Sequence, residues 1–593
     1  MRTFKYMMML LATLCFSCCT VDWVQESEHP LAEGVGQKPE FQFEGASEIE
    51  AGKFGGDYEA SIRSNLPWLV QSRADWIVVN SPQRNAGGNA PVKVLFSVTK
   101  NASLYPREGK IRLWITNDDE AYITVRQGAM TIDELGNDWY VKADGSGDGS
   151  SWEKAGDLSA VLAEAVANDK IHLASGTYVP KQVIPGGAGD GDRTFFIGQN
   201  LQILGGYPAL PKEGDKADPA ANPTILSGDG SCYHVMVIGA AKDPTFTVRI
   251  HGITLTRGKC SASGTGSVSV NGGTVYRFYG GGLVVSNATA YLYDCKITGN
   301  NSPQFNAGLF NIDGAETHLT DCEITRNTAG GNGPGVWNSA ATLYLNRTRV
   351  SGNSTTKGVG GGIYAMDCSN NGRPTYTYIA NSLVDGNATD ARAYSRRGGG
   401  MYCRENSETV ALNTTFTGNR GGNAGGAAVY GSASRPTKAT FISCTFTGNE
   451  ATFYVGGVEA TPNTTVNLYN CIVSGNTAAK PGNEVERTNA KGVPTGTLPD
   501  AVQSCVVGTE AYDETGSRVV GAAFDPATML GPFANGVFAL LGTANPALTH
   551  GMTAEKLKSL TSGIALPLIP EDLVIDQKGN ERTGTVMGAY VGK

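Results

Sequence analysis

Charged residues are scarce in this sequence, and their scarcity argues against several classes of function. They make up 17% of the 593 residues, against about 25% in an ordinary soluble domain. The net charge is −8, and no run of Lys or Arg is longer than two residues. A basic surface that follows a nucleic-acid backbone is therefore not expected. Nucleic acid is not an expected partner.

Long apolar stretches and histidines are also few. After the N-terminus no stretch offers the roughly 18 apolar residues of a membrane-spanning helix, so we expect the remaining chain to be exported and soluble. The chain has only six histidines and no Ser/His/Asp pattern for nucleophilic catalysis. It also lacks a C-x-x-C motif or a Cys/His cluster, so no zinc site is indicated.

Glycine, in contrast, is abundant. It supplies 78 of the residues, and 40% of the chain is hydrophobic. This hydrophobic content is enough for a real core and argues against wholesale disorder. The glycines follow no G-X-Y period, which excludes collagen. The composition therefore indicates many tight turns in a folded protein.

The first residues have the features of an export signal. Arg2 and Lys5 precede the apolar run 7–16, and Cys18 and Cys19 follow Ser17. This arrangement resembles the lipobox of bacterial lipoproteins, although Cys15 stands where that family prefers Leu. The resemblance implies a signal peptide over 1–18, acylation of Cys18 or alternatively Cys19, a tether over 19–40, and a lipid anchor at the outer membrane or cell surface. An ordinary cleaved signal is the alternative.

Residues 41–130 contain short alternating runs separated by Gly, Pro and Asn, which predict a small β-sandwich. The segments that carry a resemblance are 64–68, 76–77, Asn101, Arg107 and 125–127. They resemble the BACON domain, an immunoglobulin-like sandwich often attached to Bacteroidetes carbohydrate-active proteins. The resemblance implies glycan or mucin binding, with Trp68 and Trp76 as candidates for stacking on sugars. Core positions for both tryptophans, and a simple spacer role for the domain, are the alternatives.

A short unit recurs along the second half of the chain. It has Cys, Thr or Ser first, an apolar residue third, usually Gly fifth and always Asn last, and successive Asn residues lie 26 to 34 positions apart. The seven copies are 295–300, 322–327, 348–353, 382–387, 414–419, 444–449 and 471–476. A Gly-Gly-apolar motif and a third alternating run accompany the copies. Three short strands per repeat with Gly-Asn corners predict one coil of a parallel β-helix.

The repeat resembles the right-handed parallel β-helix proteins of the pectate-lyase-like group, particularly those with polymorphic outer-membrane-protein repeats. The resemblance covers 138–593. Leu158, Val161 and Leu162 predict an amphipathic helix that caps the N-terminal end. The segments 576–582 and 588–590 resemble the closing motif of that family and predict a C-terminal cap. The expected fold is therefore all-β, with a β-sandwich followed by a β-helix.

Four cysteines, Cys295, Cys322, Cys444 and Cys471, occupy one register of the repeat. Other coils place Thr or Ser there, which indicates a small, buried, stacking position. Adjacent coils lie about 4.8 Å apart, but straight stacks rarely give disulfide torsions, so free buried thiols are expected.

The carboxylates and arginines give no clear catalytic set. Asp294 and Asp321 share a turn register, but Arg347 and Asn381 follow in it, so an ordinary polar ladder is favoured over an acid pair. Arg396 and Arg397 lie on a loop before Gly398, where a solvated basic turn is favoured over a site that binds a carboxylate. No catalytic residue, metal site or cofactor is predicted. Calcium would be needed only if the chain were a lyase.

One row of aromatic residues indicates binding. In the Gly-Gly-apolar motif, the residue after the inward apolar one should face outward. Four consecutive coils place aromatic side chains there: Phe310, Trp337, Tyr364 and Tyr402. Their rise of about 4.8 Å per coil is close to the length of a sugar ring, so the row could form a platform for a glycan. A self-stacked aromatic ladder beneath a loop is the alternative.

The sequence therefore predicts an exported, membrane-anchored surface lipoprotein that binds or adheres to complex glycans without catalysis. The expected partners are a polysaccharide or the glycan of a glycoprotein, and the membrane through the lipid anchor. A polysaccharide lyase or glycoside hydrolase acting on an acidic polysaccharide is the alternative. A purely structural or adhesive surface protein is the third reading.

Overall fold

The computed structural model describes residues 38–88, 90–101, 103, 105–116, 118–130, 136–239, 247–270, 273–368, 372–390, 392–480, 484–561, 570–582 and 584–591. The expected signal peptide, the candidate acylation sites Cys18 and Cys19, and nearly all of the expected tether lie outside these residues. The chain divides into two compact units, Met1–Leu135 and Gly136–Lys593.

The first unit is a sandwich of two sheets. The strands are β1 (Phe41–Phe43), β2 (Glu48–Ala51), β3 (Gly56–Ser64), β4 (Trp68–Ser72), β5 (Ile77–Val79), β6 (Arg84–Asn85), β7 (Val92–Val98), β8 (Arg107–Trp114) and β9 (Glu120–Gln127). One sheet has the order β1-β3-β7-β5 and the other β2-β9-β8-β4-β6. Alternate residues of these strands, with Trp68 and Phe96 among the largest, fill one apolar core.

The second unit winds through three long sheets. Sheet 1 contains β10 (Asp138–Val141), β11 (Asp169–Ala174), β14 (Leu201–Tyr207), β17 (Thr247–His251), β22 (Thr289–Tyr293), β26 (Glu316–Thr320), β30 (Thr342–Asn346), β34 (Thr375–Ala380), β37 (Ser407–Leu412), β41 (Thr437–Ile442), β45 (Thr464–Tyr469) and β49 (Ala501–Gln503). Each strand of sheet 1 pairs in parallel with the next one in this order.

Sheet 2 contains β12 (Gly176–Tyr178), β15 (Thr224–Ser227), β18 (Ile253–Thr256), β23 (Lys296–Thr298), β27 (Glu323–Thr325), β31 (Arg349–Ser351), β35 (Leu383–Asp385), β38 (Thr415–Thr417), β42 (Thr445–Thr447), β46 (Ile472–Val473), β50 (Cys505–Val507), β51 (Glu510–Tyr512) and β52 (Arg518–Ala523). It is parallel as far as β50, after which the last two strands turn back antiparallel and end the sheet.

Sheet 3 contains β13 (Phe195–Ile197), β16 (Met236–Gly239), β21 (Leu283–Ser286), β25 (Leu309–Ile312), β29 (Val336–Ser339), β33 (Ile363–Ala365), β36 (Met401–Arg404), β40 (Ala427–Tyr430), β44 (Val458–Ala460) and β48 (Val485–Arg487). One short ladder contains β24 (Asn301–Ser302), β28 (Thr328–Ala329) and β32 (Ser354–Thr355). A second contains β39 (Arg420–Gly421), β43 (Glu450–Ala451) and β47 (Thr477–Ala478). A hairpin is formed by β19 (Ser267–Val270) and β20 (Gly273–Tyr276).

The Asn of each repeat points into the solenoid and builds a buried ladder. The Nδ2 atom of each Asn donates to the Oδ1 atom of the next over 2.7–3.0 Å. The members are Asn300, Asn327, Asn353, Asn387, Asn419, Asn449 and Asn476. Glu484 ends the ladder by accepting from Asn476. The ladder satisfies polar groups that burial would otherwise leave unpaired.

A helix packs on the N-terminal end of the solenoid, and the C-terminal segment packs on the outer faces of sheets 1 and 2. Helix α1 (Leu158–Glu164) begins at Asp157, whose carboxylate accepts from two backbone N–H groups, and it packs Leu158 and Val161 onto the core. The C-terminal segment contains α2 (Pro526–Met529) and α3 (Ala554–Thr561), and Leu557 of α3 belongs to one apolar cluster with Tyr378. The 3₁₀ turns are Asp190–Asp192, Pro546–Leu548 and Pro570–Leu573. The half-buried Arg582 donates to Asn413 and to the carbonyls of Ile575 and Gly588, and desolvation of its guanidinium lowers its pKa to about 10.

All nine cysteines that the structure describes are free, which confirms the expectation of free thiols. Cys444 and Cys471 stack in the predicted register, and Cys505 extends that stack by one coil. Burial raises the pKa of the Cys444 and Cys471 thiols well above the usual value, so they remain protonated.

Candidate functional site

The aromatic row expected to bind glycan lies on sheet 3. Phe310, Trp337, Tyr364 and Tyr402 occupy one register of four consecutive strands. Their exposures are only 1%, 3%, 1% and 3%. Ring centroids of neighbours lie 4.8–6.0 Å apart. The rings face outward from the strands, but none of them is open to a ligand.

Loops and a hairpin cover this row. Val268 and Val275 of the β19–β20 hairpin belong to the same apolar cluster as the four rings. The ring of Tyr279 stacks on Phe310 with centroids 4.6 Å apart and planes 19° apart. The expectation of an open platform is therefore corrected, because the loops between sheets 2 and 3 fold over the rings. The row is the self-stacked ladder beneath loops.

The two sandwich tryptophans are also covered. Trp68 is fully buried in the core of the first unit. Trp76 is half-buried, and the guanidinium of Arg107 lies 4.2 Å from the centroid of its ring. Arg107 in turn donates to Gln127 at 2.7 Å, which fixes the guanidinium in place. A sugar has no access to Trp68, and Arg107 occupies one face of Trp76.

The pair at 396–397 is not a solvated basic turn as expected. Arg397 is 4% exposed, and its Nε atom lies 3.1 Å and 3.0 Å from the two carboxylate oxygens of Glu459. Asn423 and Thr488 also donate to that carboxylate, at 2.8 Å and 2.7 Å. Glu459 is itself fully buried. The Arg397–Glu459 ion pair links a loop to sheet 3 and is closed to solvent.

The expected polar ladder in the turn after sheet 1 is present. Arg347 donates to both carboxylate oxygens of Asp321 at 2.7 Å. Asp294, Asp321, Arg347 and Asn381 all adopt positive φ, between 46° and 55°. This left-handed turn lets each coil bend sharply from sheet 1 to sheet 2. The Asp321 and Arg347 side chains remain about half exposed, at 54% and 51%.

A different aromatic row is accessible on the outer face of sheet 1. Tyr291, His318 and Tyr344 occupy one register on β22, β26 and β30, and all three are half-buried. Centroids lie 4.5 Å apart for Tyr291 and His318, and 4.2 Å apart for His318 and Tyr344, with planes 19° and 8° apart. The guanidinium of Arg249 lies 5.5 Å from the Tyr291 centroid. We call these four residues the open aromatic strip.

Burial and neighbouring polar groups determine the ionisation states in and around this strip. Glu316 lies 2.8 Å from the Nε2 atom of His318, and this hydrogen bond lowers the pKa of Glu316. Burial raises the pKa of Tyr291, and it raises that of Tyr344 to about 12. Both phenols therefore stay neutral at physiological pH and can donate or accept hydrogen bonds. Burial also lowers the pKa of the neighbouring His251, against the opposing charge of Asp294.

A cleft of about 740 Å³ opens beside the strip, where the C-terminal segment crosses the coils. We call it the terminal cleft. Its lining includes Asp321, Arg347, Arg349, Asn381, Phe533 and Asp572. Arg349 pairs with Asp385 at 3.0 Å and 2.8 Å, so both arginines are held by carboxylates. The Phe533 ring is 44% exposed and offers an apolar surface at the cleft.

No group of three or more His, Cys, Asp and Glu that could hold a metal ion occurs among the described residues. Within the same residues, no helix is long and apolar enough to cross a membrane.

Comparison with solved structures gives seven similar chains, and the following two are among them. Pectate lyase Pel9A overlaps 77% of this chain and 96% of its own, with a TM-score of 0.44 and 13% identity. A Bacteroides ovatus GH5 xyloglucanase in complex with a XXXG heptasaccharide overlaps 44% of this chain and 72% of its own, with a TM-score of 0.14 and 11% identity. No protein-family model and no curated protein matches the chain.

The fold follows from the strand pairing described above. Along the chain, a small β-sandwich is followed by a right-handed parallel β-helix. This confirms the fold class expected from the sequence. At such low identities the similar structures carry no information about the site of this chain.

Sequence reasoning missed the open aromatic strip, although the signal was present. The alternation in β22, β26 and β30 places Ala290, Leu292, Leu319 and Leu345 inward. The residues between them must then face outward. The rule that selects Phe310, Trp337, Tyr364 and Tyr402 on sheet 3 selects the strip on sheet 1 in the same way.

Proposed function

We propose that this protein is an exported, lipid-anchored surface protein that binds complex glycans through the open aromatic strip. The N-terminal signal and its cysteines support export and anchoring. The BACON-like sequence of the sandwich is consistent with a carbohydrate-associated protein, and the sandwich then acts as a spacer. The observation that carries this proposal is the strip itself, a row of stacked rings that solvent can reach.

The geometry of the strip suits a sugar chain. Aromatic rings offer broad apolar contact area with little loss of side-chain entropy, and Tyr adds a polar edge. Neighbouring rings repeat at close to the spacing of the coils, so successive sugars can each meet a ring edge. Arg249, His318 and the two phenols provide donors for hydroxyl groups. The combination of apolar rings and a few fixed polar groups is typical of ligand sites.

The test is a glycan array on residues 24–593, followed by calorimetry with the glycan that binds. We expect Tyr291→Ala and Tyr344→Ala each to weaken binding about tenfold or more, which corresponds to roughly 1.4 kcal/mol. Tyr394→Ala is the matched control, because Tyr394 is 41% exposed and lies outside the strip. Unchanged affinity in both strip variants would overturn the proposal.

Anchoring is tested separately on the full chain. We expect Cys18→Ser to abolish incorporation of a labelled fatty acid and to release the protein from membranes, with Cys19→Ser as the control. If only Cys19→Ser has this effect, the acylated residue is Cys19. If neither substitution does, the N-terminus is an ordinary cleaved signal.

A second candidate is a polysaccharide lyase or glycoside hydrolase, and one observation favours it. Two carboxylates, Asp321 and Asp572, line the terminal cleft together with Arg347 and Lys578. Against this, Asp321 is bound by Arg347, and Asp572 accepts from Tyr378 at 3.1 Å and Asn381 at 2.8 Å. Incubation with acidic polysaccharides, with and without added Ca²⁺, tests it. Release of reducing or unsaturated ends that is lost in Asp321→Asn would establish the enzyme.

A further inference from the structure

The open aromatic strip has a definite length, because the same register is buried on both sides of it. Beyond Tyr344 the next residue in the register is Tyr378, which is 2% exposed, and Val410 after it is fully buried. Before Arg249 stand Gln202 and Lys170, which are 3% and 0% exposed. All of them face outward from sheet 1, so other parts of the chain must cover them.

The C-terminal segment forms the barrier beyond Tyr344. The Tyr378 hydroxyl donates to Asp572 at 3.1 Å. Met552, Leu557 and Leu573 belong to one apolar cluster with Tyr378 and Val410. Nδ2 of Asn413 also donates to the backbone carbonyls of Asp572 and Ile575 at 2.6 Å and 2.9 Å. An extended chain lying on Tyr291, His318 and Tyr344 would run into this segment.

The terminal cleft lies at the foot of that barrier. Asn381, which lines it, donates to Asn346 at 3.2 Å, and Asn346 is on the same strand and face as Tyr344. Asp321 and Arg347 follow His318 and Tyr344 by three positions in the same two coils, so the cleft lies beside the last two rings of the strip. A ligand on these rings therefore has Arg347 and Asp321 at its side.

The ion pairs of the cleft suit hydroxyl groups. Arg347 uses Nε and one terminal nitrogen for Asp321, which leaves three of its five N–H groups for other acceptors. An ionised carboxylate has about four acceptor positions, so Asp321 keeps about two after Arg347 fills two of them. Because each arginine is already neutralised by a carboxylate, the pairs offer donors and acceptors side by side with little net charge. Vicinal hydroxyls of a sugar ring need this arrangement of donors and acceptors.

We propose that the strip and the terminal cleft recognise the end of a glycan chain or branch, about three sugar rings long at roughly 4.8 Å per coil, and not the interior of a long chain. This proposal rests on the glycan-binding function above. The closed register sets the number of sugars, and the cleft takes the terminal ring.

Linear fragments of graded length test this, prepared by partial hydrolysis of the polysaccharide that binds in the array. We expect affinity per chain to rise up to about three sugars and then stay constant. We also expect the undegraded polymer to bind more weakly per unit mass than its fragments. A parallel set with the reducing end converted to the alditol identifies the end: lower affinity assigns the reducing end, and unchanged affinity assigns the other. Affinity that continues to rise with length would overturn the proposal.

Variants separate this proposal from the general one. Arg347→Ala is expected to weaken fragment binding about tenfold. Arg420→Ala is the matched control, because Arg420 also forms a half-exposed ion pair, with Glu450 at 3.2 Å, away from the cleft. If Tyr291→Ala weakens binding but Arg347→Ala does not, end recognition in the cleft is wrong while glycan binding stands. If neither variant has an effect, the glycan-binding function itself is wrong.

Discussion

The imidazole of His318 lies parallel to the ring of Tyr344, with centroids 4.2 Å apart and planes 8° apart. Its other face meets Tyr291 at 4.5 Å. A histidine thus occupies the middle of a stack of two tyrosines, one ring per coil. The carboxylate of Glu316 lies 2.8 Å from the Nε2 atom at the edge of the imidazole.

Stacking rather than charge is therefore the expected role of His318. We expect His318→Ala to weaken glycan binding about as much as the loss of either tyrosine, because both rings lose a neighbour. His318→Phe keeps a flat ring and should retain most of the affinity. Calorimetry on the two variants checks this. Equal loss in both would show that the imidazole nitrogens make the essential contact.

Trp337 is expected to act on stability. Its side chain is 3% exposed and contacts Phe310 and Tyr364. Trp337→Ala should lower the free energy of unfolding by about 3–5 kcal/mol, the usual range for a large buried aromatic. Chemical denaturation measures this, with Tyr394→Ala expected to stay within about 0.5 kcal/mol of wild type. Weaker glycan binding with unchanged stability would return this residue to the candidate site.

Single substitutions in the asparagine ladder should lower the free energy of unfolding. Asn353 is fully buried and donates to Ile324 at 2.8 Å and to Asn387 at 2.9 Å. Asn353→Ala removes these bonds and leaves buried groups unpaired, at about 1–3 kcal/mol for each. Asn301→Ala, at an exposed position next to the ladder, is the control. Similar denaturation midpoints for the two variants would contradict a stabilising ladder.

His234 should make the β-helix sensitive to acid. It is buried, its Nδ1 atom lies 3.0 Å from the Gly280 carbonyl, and burial lowers its pKa to about 4, with Asp192 opposing this shift. The unfolded pKa is about 6.5. The neutral form is therefore preferred on folding, so its contribution is complete above about pH 6.5 and declines towards pH 4 by up to about 1.4 kcal/mol per pH unit.

Denaturation at several pH values checks this prediction. The wild type should lose stability between about pH 6.5 and pH 4 more steeply than His234→Gln, which cannot take up a proton there. The comparison removes the effect of other titrating groups, which both proteins share. Parallel pH profiles would show that His234 is protonated without cost in the folded state.

Part of this architecture could be predicted because it is local and repetitive. A buried Asn at the end of each repeat requires the same corner in every coil, and seven copies leave little choice of fold. The registers were also predictable, since Phe310, Trp337, Tyr364 and Tyr402 are neighbours as expected. The same holds for Asp321 and Arg347 in the turn ladder.

Exposure could not be predicted in the same way. The alternation rule states which residues leave the strand outward, but it cannot state what covers them. Phe310 and Tyr291 both face outward from a sheet, yet Tyr279 covers the first and the second keeps access to solvent. The loop position of Arg397 favours a solvated side chain, yet Glu459, 62 positions away, pairs with it in the interior.

The sequence by itself determined the stacked coils, the inward and outward registers and the free cysteines, because these depend on spacing that repeats along the chain. Only the tertiary structure decided which outward row is open, how long it is, and where a cleft adjoins it. Those properties depend on loops and a C-terminal segment that pack against coils distant in sequence. Their contacts, such as Asp572 with Tyr378 across 194 positions, follow no repeat that a sequence pattern could reveal.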